Sequence, residues 1–409
     1  MSRYLHPDRR TLLKGLLLAT GAAAVRLSEP HAFAETAVVG SPLSRWQQGY
    51  FDIHQIDTGR GNSALLIFPD GTTMLIDAGI VTDAPAGTIN PARPNDSLRP
   101  GQWVARYALA HAPSSHLDYF LATHIHPDHV GGLADVDAAM PITTCIDRSF
   151  PHYAPDQLPA SAPFAQTYLD LLHTRVQNGR SVEPARVGAT SQIVLKQSPA
   201  SYKTFRARVL AANGTVWDRS AGKVQPHLDH LSAADIARGN ENLFSIATRF
   251  EYGDFSYYTG GDLNCDTQDG RQPRFDIESP VARSAGRTEV AVANHHGYFD
   301  ACGAAFTNNL DAQAYIIPSW DIGHPGSAQM QRMMGAWDNT AKRAVFTTEL
   351  LPANALLNRR FATQLKSQQG HIVVRVSPGG HTYTIYTLDS SVEGGNITGV
   401  FGPYTSRTA

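Results

Sequence analysis

The stretch Thr123-His124-Ile125-His126-Pro127-Asp128-His129 is the most informative part of this chain. It places three histidines and one aspartate within six residues, and a proline among them disfavours a continuous helix. We therefore expect a tight loop at a strand end to gather the four side chains. Imidazole nitrogens and carboxylate oxygens suit zinc, iron or manganese. The chain has only three cysteines and no CxxC pair, so we expect no thiolate to compete.

Short apolar segments separated by turns lead into this loop. Residues 51–57, 63–68 and 73–76 predict three strands of a β-meander, because Gly- and Pro-containing turns divide them. Residues 103–110 carry apolar side chains at helical spacing, and residues 117–122 read as a buried strand that ends at the loop. The order of strands and helices predicts an α/β domain.

The second half of the chain repeats this order. The recurrence predicts two stacked αβ halves, and we predict an insertion around the core at about residues 141–240. The predicted elements of the insertion are a helix at 164–176 and strands at 192–196 and 207–211. The later predicted elements are strands at 244–251, 254–258, 289–293 and 314–318, a helix at 327–337 with Ser327 as its N-cap, and a hairpin of 372–377 with 382–388.

One loop cannot complete the coordination of two metal ions, so further ligands must come from distant strand ends. Asp262 follows an apolar strand, and a lone carboxylate there is a good bridging ligand. His295 and His296 end another strand, and because adjacent strand residues point to opposite faces we expect one of them to enter the site. His324 is the remaining histidine at a strand end, and we predict that it is a ligand.

Residues 1–34 resemble a bacterial twin-arginine (Tat) export signal. Arg9-Arg10 precede an apolar stretch at 15–25, and Ala32-Phe33-Ala34 offers small residues for cleavage after Ala34. The alternative is an N-terminal helix or membrane anchor, but the stretch is about half the ~20 residues that a spanning helix needs. We expect the Tat export machinery as a partner and a periplasmic or secreted protein. No other apolar run approaches spanning length, so we expect no membrane span in the mature chain.

Composition limits the classes of function. Hydrophobic residues make up 42% of the 409 residues and charged residues 17%, which allows a sizeable core and excludes a disordered or fibrous protein. Lys and Arg number 34 and Asp and Glu 36, so no basic excess favours strong nucleic-acid binding. We expect a small-molecule or cell-envelope substrate instead.

Together the motifs resemble the metallo-β-lactamase fold superfamily, and within it the hydrolase domain of ComEC-type competence proteins and related secreted esterases. The resembling blocks span about residues 51–325 and follow the order of that family. They are Gln55-Ile56-Asp57-Thr58-Gly59-Arg60-Gly61-Asn62-Ser63, Leu75-Ile76-Asp77-Ala78-Gly79, the loop from His124 to His129 with Gly131-Gly132, Asn240-Glu241-Asn242, Gly261-Asp262, His295-His296-Gly297 and Gly323-His324-Pro325.

The resemblance implies a fold and a set of ligands. The fold would be an αββα four-layer sandwich formed by residues 35–409, with a site for two divalent metal ions, zinc in the first place and manganese or iron as alternatives. The implied ligands are His124 and His126 for the first ion, Asp128, His129 and His324 for the second, and Asp262 as the bridge. Asp77 would support the metal loop without being a ligand.

Two departures from the family pattern concern the site. The family often has an aspartate where this chain has Asn62. Many members also place a ligand histidine about twenty residues before the bridging aspartate, where this chain has Asn240 and Asn242. That difference matches the ComEC-type subset but puts full occupancy of the first metal position in question. His227 and His230 are the nearby substitutes, although a solvated loop is the expectation for both.

The resemblance implies a metal-dependent hydrolase that uses a metal-activated hydroxide, with a phosphodiester as the first substrate class. Asp128 and Asp262 would orient the water, and His295 or His296 would stabilise the anion or protonate the leaving group. A lactone, ester or amide hydrolase, including one for β-lactams, is the alternative. A non-catalytic metal-binding module of the envelope is the second alternative. No GxSxG elbow, P-loop or GxGxxG fingerprint points to other chemistry.

Overall fold

Strands and helices alternate along the residues that the computed structural model describes, which are 37–79, 91–153, 163–238, 241–265, 273–335 and 343–407. The predicted export signal and Asn240 lie outside these ranges. The strands of the first half are β1 Phe51–Gln55, β2 Ala64–Ile67, β3 Thr73–Ile76, β4 Leu117–Leu121, β5 Ile142–Asp147, β6 Ser181–Pro184, β7 Phe205–Ala212, β8 Thr215–Asp218 and β9 Lys223–Pro226. Those of the second half are β10 Ala247–Tyr252, β11 Phe255–Thr259, β12 Val290–Val292, β13 Ala314–Ile317, β14 Ala344–Thr347, β15 His371–Val376, β16 Thr382–Leu388 and β17 Ile397–Thr405.

The helices lie between the strands, and most are short. They are α1 Pro100–His111, α2 Pro127–Val130, α3 Leu133–Ala139, α4 Pro163–Gln177, α5 Ala233–Arg238, α6 Glu278–Ala285, α7 Ala304–Leu310, α8 Ser327–Met333, α9 Pro352–Leu357 and α10 Arg359–Ala362. None of those formed by described residues combines the length and the apolar character needed to cross a lipid bilayer.

The strands form two large mixed sheets. The first has the order β17-β16-β15-β1-β2-β3-β4-β5-β6, and the second has the order β14-β13-β12-β11-β10-β7-β8-β9. Each sheet is parallel on one side and antiparallel on the other: β3 to β6 run parallel in the first, and β11 to β14 run parallel in the second. This arrangement confirms the predicted α/β class with two stacked sheets.

Three apolar layers hold the sheets and helices together. Alternate residues of a strand point to opposite faces, so Leu66 of β2 faces the layer between the sheets, where Phe51 and Phe250 also pack. Its neighbours Leu65 and Ile67 belong to a second layer that α1, α3 and α4 cover. Helices α6 and α7 cover the outer face of the second sheet. The four layers are therefore helix, sheet, sheet and helix.

The segment 141–240 is not an insertion around the core, contrary to our expectation. Its strands β5 and β6 extend the first sheet in parallel, and β7 pairs with β10 in the second sheet. Short strands separated by polar turns conceal this role in the sequence, because their pairing partners are distant along the chain.

The predicted strand at 192–196 is also corrected. Ile193 and Leu195 are buried between the sheets, as a strand pattern suggests. The backbone N–H groups of this segment, however, donate to side chains: Val194 to Oη of Tyr119 (3.2 Å) and Lys196 to Oγ1 of Thr72 (2.7 Å). The alternation of apolar residues here therefore indicates buried side chains, but it does not indicate pairing with another strand.

Candidate metal centre

The histidines and aspartates of the site follow the carboxyl ends of parallel strands in both sheets. The loop from His124 to His129 follows β4, and Asp262 follows β11. His295 and His296 follow β12, and His324 follows β13. Because parallel strands end at the same edge of a sheet, these segments meet there, and each sheet supplies part of the site.

One group of potential ligands consists of His124, His126 and Asp262. Nε2 of His124 lies 2.9 Å from Nδ1 of His126 and 3.7 Å from a carboxylate oxygen of Asp262. His124 and Asp262 are buried, and His126 is half-buried. These are the residues that the family resemblance assigns to the first metal ion and the bridge.

A second group consists of Asp128, His129, Asp262 and His296. Nε2 of His129 lies 3.2 Å from Asp262, and Nε2 of His296 lies 3.1 Å from Asp128 and 3.5 Å from Asp262. In both groups the ligand atoms all lie within 4.8 Å of one another. Asp262 belongs to both groups, which is the position of a bridging carboxylate.

Asp77 supports the metal loop through hydrogen bonds, the role that the family resemblance implies for it. Its carboxylate accepts hydrogen bonds from Nδ1 of His129 (2.7 Å) and from the backbone N–H (2.8 Å) and hydroxyl (2.8 Å) of Thr123. Nδ1 of His129 is thereby occupied, so Nε2 is the atom that faces the site. Asn62 donates its amide N–H to Asp77 at 2.9 Å. An amide suits this position because Asp77 needs a donor and not a second carboxylate.

Opposite charges set the pKa values inside the site. Burial alone would lower the pKa of His129, but the carboxylates of Asp262, Asp128 and Asp77 outweigh it and raise that pKa well above its usual range. Burial alone would raise the pKa values of Asp128 and Asp262, yet the imidazoles around them, His129 foremost, hold both well below the usual range. The carboxylates thus demand compensating positive charge.

His124 differs from its neighbour His129. Burial, and then the nearby His129, lower the pKa of His124 well below its usual range. A neutral imidazole is the form that binds a metal ion. The site therefore combines neutral nitrogen donors with carboxylates that attract cations.

Both His295 and His296 face the site, so the expectation that one of them would enter is wrong. Strand β12 ends at Val292, and residues Asn294–Gly297 form a 3-10 turn in which both histidines have left-handed backbone angles (φ 45° and 53°). The alternation of a strand does not apply to such a turn. Left-handed backbone is strained for residues other than glycine, and such strain is frequent at functional sites.

His296 takes the place that the resemblance gave to His324. Nδ1 of His296 donates to the carbonyl oxygen of Pro318 (2.8 Å), and this turns its Nε2 toward Asp128 and Asp262. His324 lies behind it: the two imidazoles are stacked, with ring centroids 4.8 Å apart and planes at 18°. His324 is absent from both ligand groups, and its buried Nδ1 has no hydrogen-bond partner among the described residues.

The proposed substitutes for a missing ligand do not reach the centre. His230 is exposed and contacts the carbonyl oxygen of Arg274, and neither it nor His227 belongs to a ligand group. Asn242 does approach the site, where its Nδ2 lies 3.3 Å from Nε2 of His295.

Two acidic residues of the site were not singled out from the sequence. Asp300 accepts a hydrogen bond from Nδ1 of His295 at 2.6 Å. Glu241 accepts one from the backbone N–H of Ile125 (3.2 Å), inside the metal loop, and is ion-paired with the fully buried Arg148 at 2.5 Å. Glu241 lies in the block Asn240-Glu241-Asn242 of the family resemblance, so its burial could have been predicted. Asp300 carries no local signal, because its role depends on the turn that precedes it.

Residues 57–191 match the family model described as Metallo-beta-lactamase superfamily. This range contains the metal loop and its support, Asp77. The chain contains a metallo-β-lactamase superfamily domain. The ligands of the metal loop lie in the matched range, whereas Asp262 and His296 lie beyond it. The metallo-β-lactamase fold binds divalent metal ions, typically two.

Solved structures that are similar to this chain share little sequence with it. A point mutant of the CmlA β-hydroxylase is 12% identical over 80% of this chain and 54% of its own, with a TM-score of 0.39. The chain therefore spans about half the length of that protein. The diiron β-hydroxylase CmlA from Streptomyces venezuelae is 10% identical over 75% of this chain and 54% of its own (TM-score 0.41).

Two further structures are matched over nearly their whole length. MEM-A1, a subclass B3 metallo-β-lactamase isolated from a soil metagenome library, is 11% identical over 79% of this chain and 93% of its own (TM-score 0.34). A diphosphatase from the PhnP family is 11% identical over 80% of this chain and 99% of its own (TM-score 0.35). The comparison with curated proteins found no match.

The residues of the two ligand groups fit a pair of divalent ions. The donors are imidazole nitrogens and carboxylate oxygens, which zinc, iron and manganese accept. Most of them are buried, one carboxylate is shared between the two groups, and a ligand-type imidazole, His129, is oriented by Asp77. Such orienting hydrogen bonds accompany metal-binding histidines in proteins.

Proposed function

We propose that the protein is a metal-dependent hydrolase that cleaves phosphodiesters. One observation carries the first part of this proposal: Asp262 is shared between two groups of mostly buried nitrogen and oxygen donors. Two divalent ions, when bound, supply Lewis-acid stabilisation of negative charge and lower the pKa of water. A module that only bound metal would have no need of a carboxylate shared between two groups of donors, and hydrolysis is therefore the better proposal.

The protein groups around the centre have separate tasks. Asp128 and Asp262 hold the ligand histidines in place through the contacts described above and can accept a hydrogen bond from the attacking water. His295 is the more exposed of the neighbouring pair, with 17% of its side chain exposed against 1% for His296. A group that transfers protons to and from a substrate must be accessible to it. We therefore assign this task to His295.

The hydrogen bonds of His295 define which atom acts. In the tautomer whose Nδ1 donates to Asp300, Nε2 carries the lone pair, faces Asp262 (3.8 Å) and can accept from Asn242 (3.3 Å). Nε2 is thus the atom that can take a proton and deliver it to the leaving oxygen. Asp300 orients the ring, and Nδ2 of Asn264 donates to Asp300 at 2.7 Å. Asp300 and Asn264 are positioning residues in this mechanism.

The substrate class rests on the sequence blocks that resemble the ComEC-type hydrolase domain. Zinc is our first choice of metal ion, with manganese and iron as alternatives. The near balance of 34 basic and 36 acidic residues offers no general attraction for long nucleic acids. A small or cell-envelope phosphodiester is therefore the substrate that we propose.

We also propose that the protein is exported by the Tat pathway to the periplasm or beyond. The support is Arg9-Arg10, the apolar stretch after it and Ala32-Phe33-Ala34. Replacing both arginines by lysine should leave the precursor inside the cell. Undiminished periplasmic accumulation of that variant would contradict the proposal.

The test of function compares substrates on one metal-loaded preparation. Chelation should remove the hydrolysis of bis(p-nitrophenyl) phosphate, and added zinc or manganese should restore it. Asp262→Asn should abolish it, because a neutral amide cannot compensate two cations. Hydrolysis of a lactone or a chromogenic β-lactam without any phosphodiester cleavage would replace our proposal by the ester and amide alternative. If the protein binds metal but hydrolyses none of these substrates, the non-catalytic metal-binding module becomes the supported function.

A further inference from the structure

Helices α9 and α10 expose an apolar and a cationic pair of side chains next to each other. Leu356 and Leu357 at the end of α9 are 75% and 83% exposed, the highest values among the large hydrophobic side chains that the structure describes. Arg359 and Arg360 follow at the start of α10 and are exposed as well. We call these four residues the α9–α10 face. Adjacent leucines exposed to this extent have an energetic cost in water that a partner can remove.

The chain segment that carries this face has charges of one sign. Residues 350–370 contain Arg359, Arg360 and Lys366 but no aspartate or glutamate, although the whole chain is slightly acidic. No described residue forms an ion pair with any of these three cations. Most other arginines of the structure are neutralised, as Arg93 is by Glu349 and Arg106 by Glu393. The α9–α10 face is therefore a local cationic patch.

Side-chain hydrogen bonds attach α9 to the rim of the metal centre. Nδ2 of Asn354 donates to the carbonyl oxygens of Ile322 and Pro325, both at 3.0 Å. The hydroxyl of Ser327 contacts Asn358, which in turn donates to Asn354 at 3.0 Å. The loop that these bonds hold contains His324. Ile322 in this loop is itself 41% exposed, which places another apolar side chain at the rim.

We propose that the α9–α10 face docks the protein on an anionic phospholipid surface. Leucines that enter the acyl boundary and arginines that reach the phosphate level are the combination that interfacial segments use. The leucines decide against a nucleic acid, because a polyanion in water would be bound by the cations and would leave both leucines exposed. Docking through this face brings the loop of His324, and with it one side of the metal centre, close to the lipid headgroups.

Vesicle co-sedimentation of the full chain tests this inference without any assay of hydrolysis. Vesicles of phosphatidylcholine with about one third phosphatidylglycerol should bind the protein, and pure phosphatidylcholine vesicles should bind it much less. Each arginine changed to glutamine should weaken binding to anionic vesicles by roughly fivefold, since a surface arginine contributes about a factor of that size. Leu356→Gln with Leu357→Gln should weaken it by at least about tenfold.

A second exposed apolar pair provides the matched control. Val38 and Val39 are 61% and 59% exposed, and Val38→Gln with Val39→Gln should leave vesicle binding unchanged. Circular dichroism melting should show that all variants remain folded, which their exposure predicts.

Three results would overturn the inference: no binding to anionic vesicles, equal binding to neutral ones, or an equal loss in the valine control. If the arginine variants lose binding to single-stranded DNA while the leucine variant binds vesicles like the wild type, the face is a polyanion site and the lipid assignment is wrong.

Discussion

At the residue scale, the second ligand group depends on two stacked histidines with different tasks. Nε2 of His296 faces the carboxylates of Asp128 and Asp262, whereas His324 packs against the imidazole of His296. We expect His296→Ala to reduce the metal content of the purified protein by about one equivalent, because it removes a donor from the group. His324→Ala should retain the metal more fully, because it removes a packing neighbour. Elemental analysis of both variants measures the difference, and a loss confined to His324→Ala would return the ligand role to that residue.

A second residue-scale prediction concerns proton transfer. His295→Ala should keep its metal but reduce the turnover of phosphodiesters by about 10²–10⁴-fold, the usual contribution of a positioned acid–base group. The loss should be greater for diphenyl phosphate than for bis(p-nitrophenyl) phosphate, since the poorer leaving group needs the proton more. Rates and metal content are measured on the same samples.

The neighbouring Asp300 provides the control for this assignment. Asp300→Asn should also keep the metal and lose less activity, because it disturbs only the orientation of the His295 ring. Metal loss in His295→Ala would show instead that this histidine is a ligand.

At the element scale, the turn after β11 approaches the end of β4 so closely that only glycine fits. Gly261 has φ +54°, and a Cβ atom at this position would lie 2.8 Å from Cβ of Thr123. Thr123 directly precedes the metal loop, and Gly261 directly precedes Asp262. The two sheets therefore bring their ligands together through this contact.

Gly261→Ala should destabilise the protein and weaken metal binding. The left-handed backbone alone costs about 1–2 kcal/mol for alanine, and the forced contact with Thr123 adds roughly 1–3 kcal/mol. Gly222→Ala is the matched control, since Gly222 has φ +63° but no atom within 4 Å of the added Cβ. Denaturant unfolding of both variants separates the two contributions. Equal losses of stability would show that the close approach is unimportant.

At the scale of the whole molecule, distant segments meet around a buried carboxyl group. Asp57, just after β1, accepts hydrogen bonds from Ser390 (2.6 Å) and from the N–H of Gly59 (3.0 Å), and its own N–H donates to His371. Burial and then the charge of Glu349, partly offset by Ser390 and Arg93, raise the pKa of Asp57 to about 8. The folded protein therefore holds this proton more tightly than the unfolded chain, in which an aspartate titrates near pH ~3.9.

This pKa predicts the pH dependence of stability. The bound proton contributes fully to the free energy of unfolding below about pH 4. This contribution falls by at most about 1.4 kcal/mol per pH unit, and it is lost as the pH rises through about 8. Asp57→Asn should remove this decline. The free energy of unfolding of the variant should therefore rise relative to that of the wild type between pH ~5 and ~8. Urea unfolding across this range measures the effect, and parallel curves for the two proteins would contradict it.

A partly exposed carboxylate serves as the control for the same measurement. Hydrogen bonds from the hydroxyl of Ser220 and from the backbone N–H of Ala221 lower the pKa of Asp218. Its contribution to stability is present at neutral pH and is lost only as the pH falls through the acid range. Asp218→Asn should therefore leave the profile above about pH 5 unchanged.

The amino-acid sequence alone was sufficient to predict those features that depend on residues close together in the chain. The metal loop could be predicted because its ligands lie within six residues, and Asp262 could be predicted because it follows an apolar strand. The two stacked sheets could be predicted because the periodicity of burial is a local property. The strand at 192–196 shows the limit of that signal, since its apolar residues are buried without strand pairing.

Only the tertiary structure decided which atoms converge on the site and which strands pair. His296, and not His324, belongs to a ligand group, because a left-handed turn after β12 rotates both of its histidines inward. The segment 141–240 joins both sheets through hydrogen bonds to strands far away in the chain. The physical reason is the same in both cases: distances between atoms that are remote in sequence are set by the packing of whole elements, and no local pattern of residues records them.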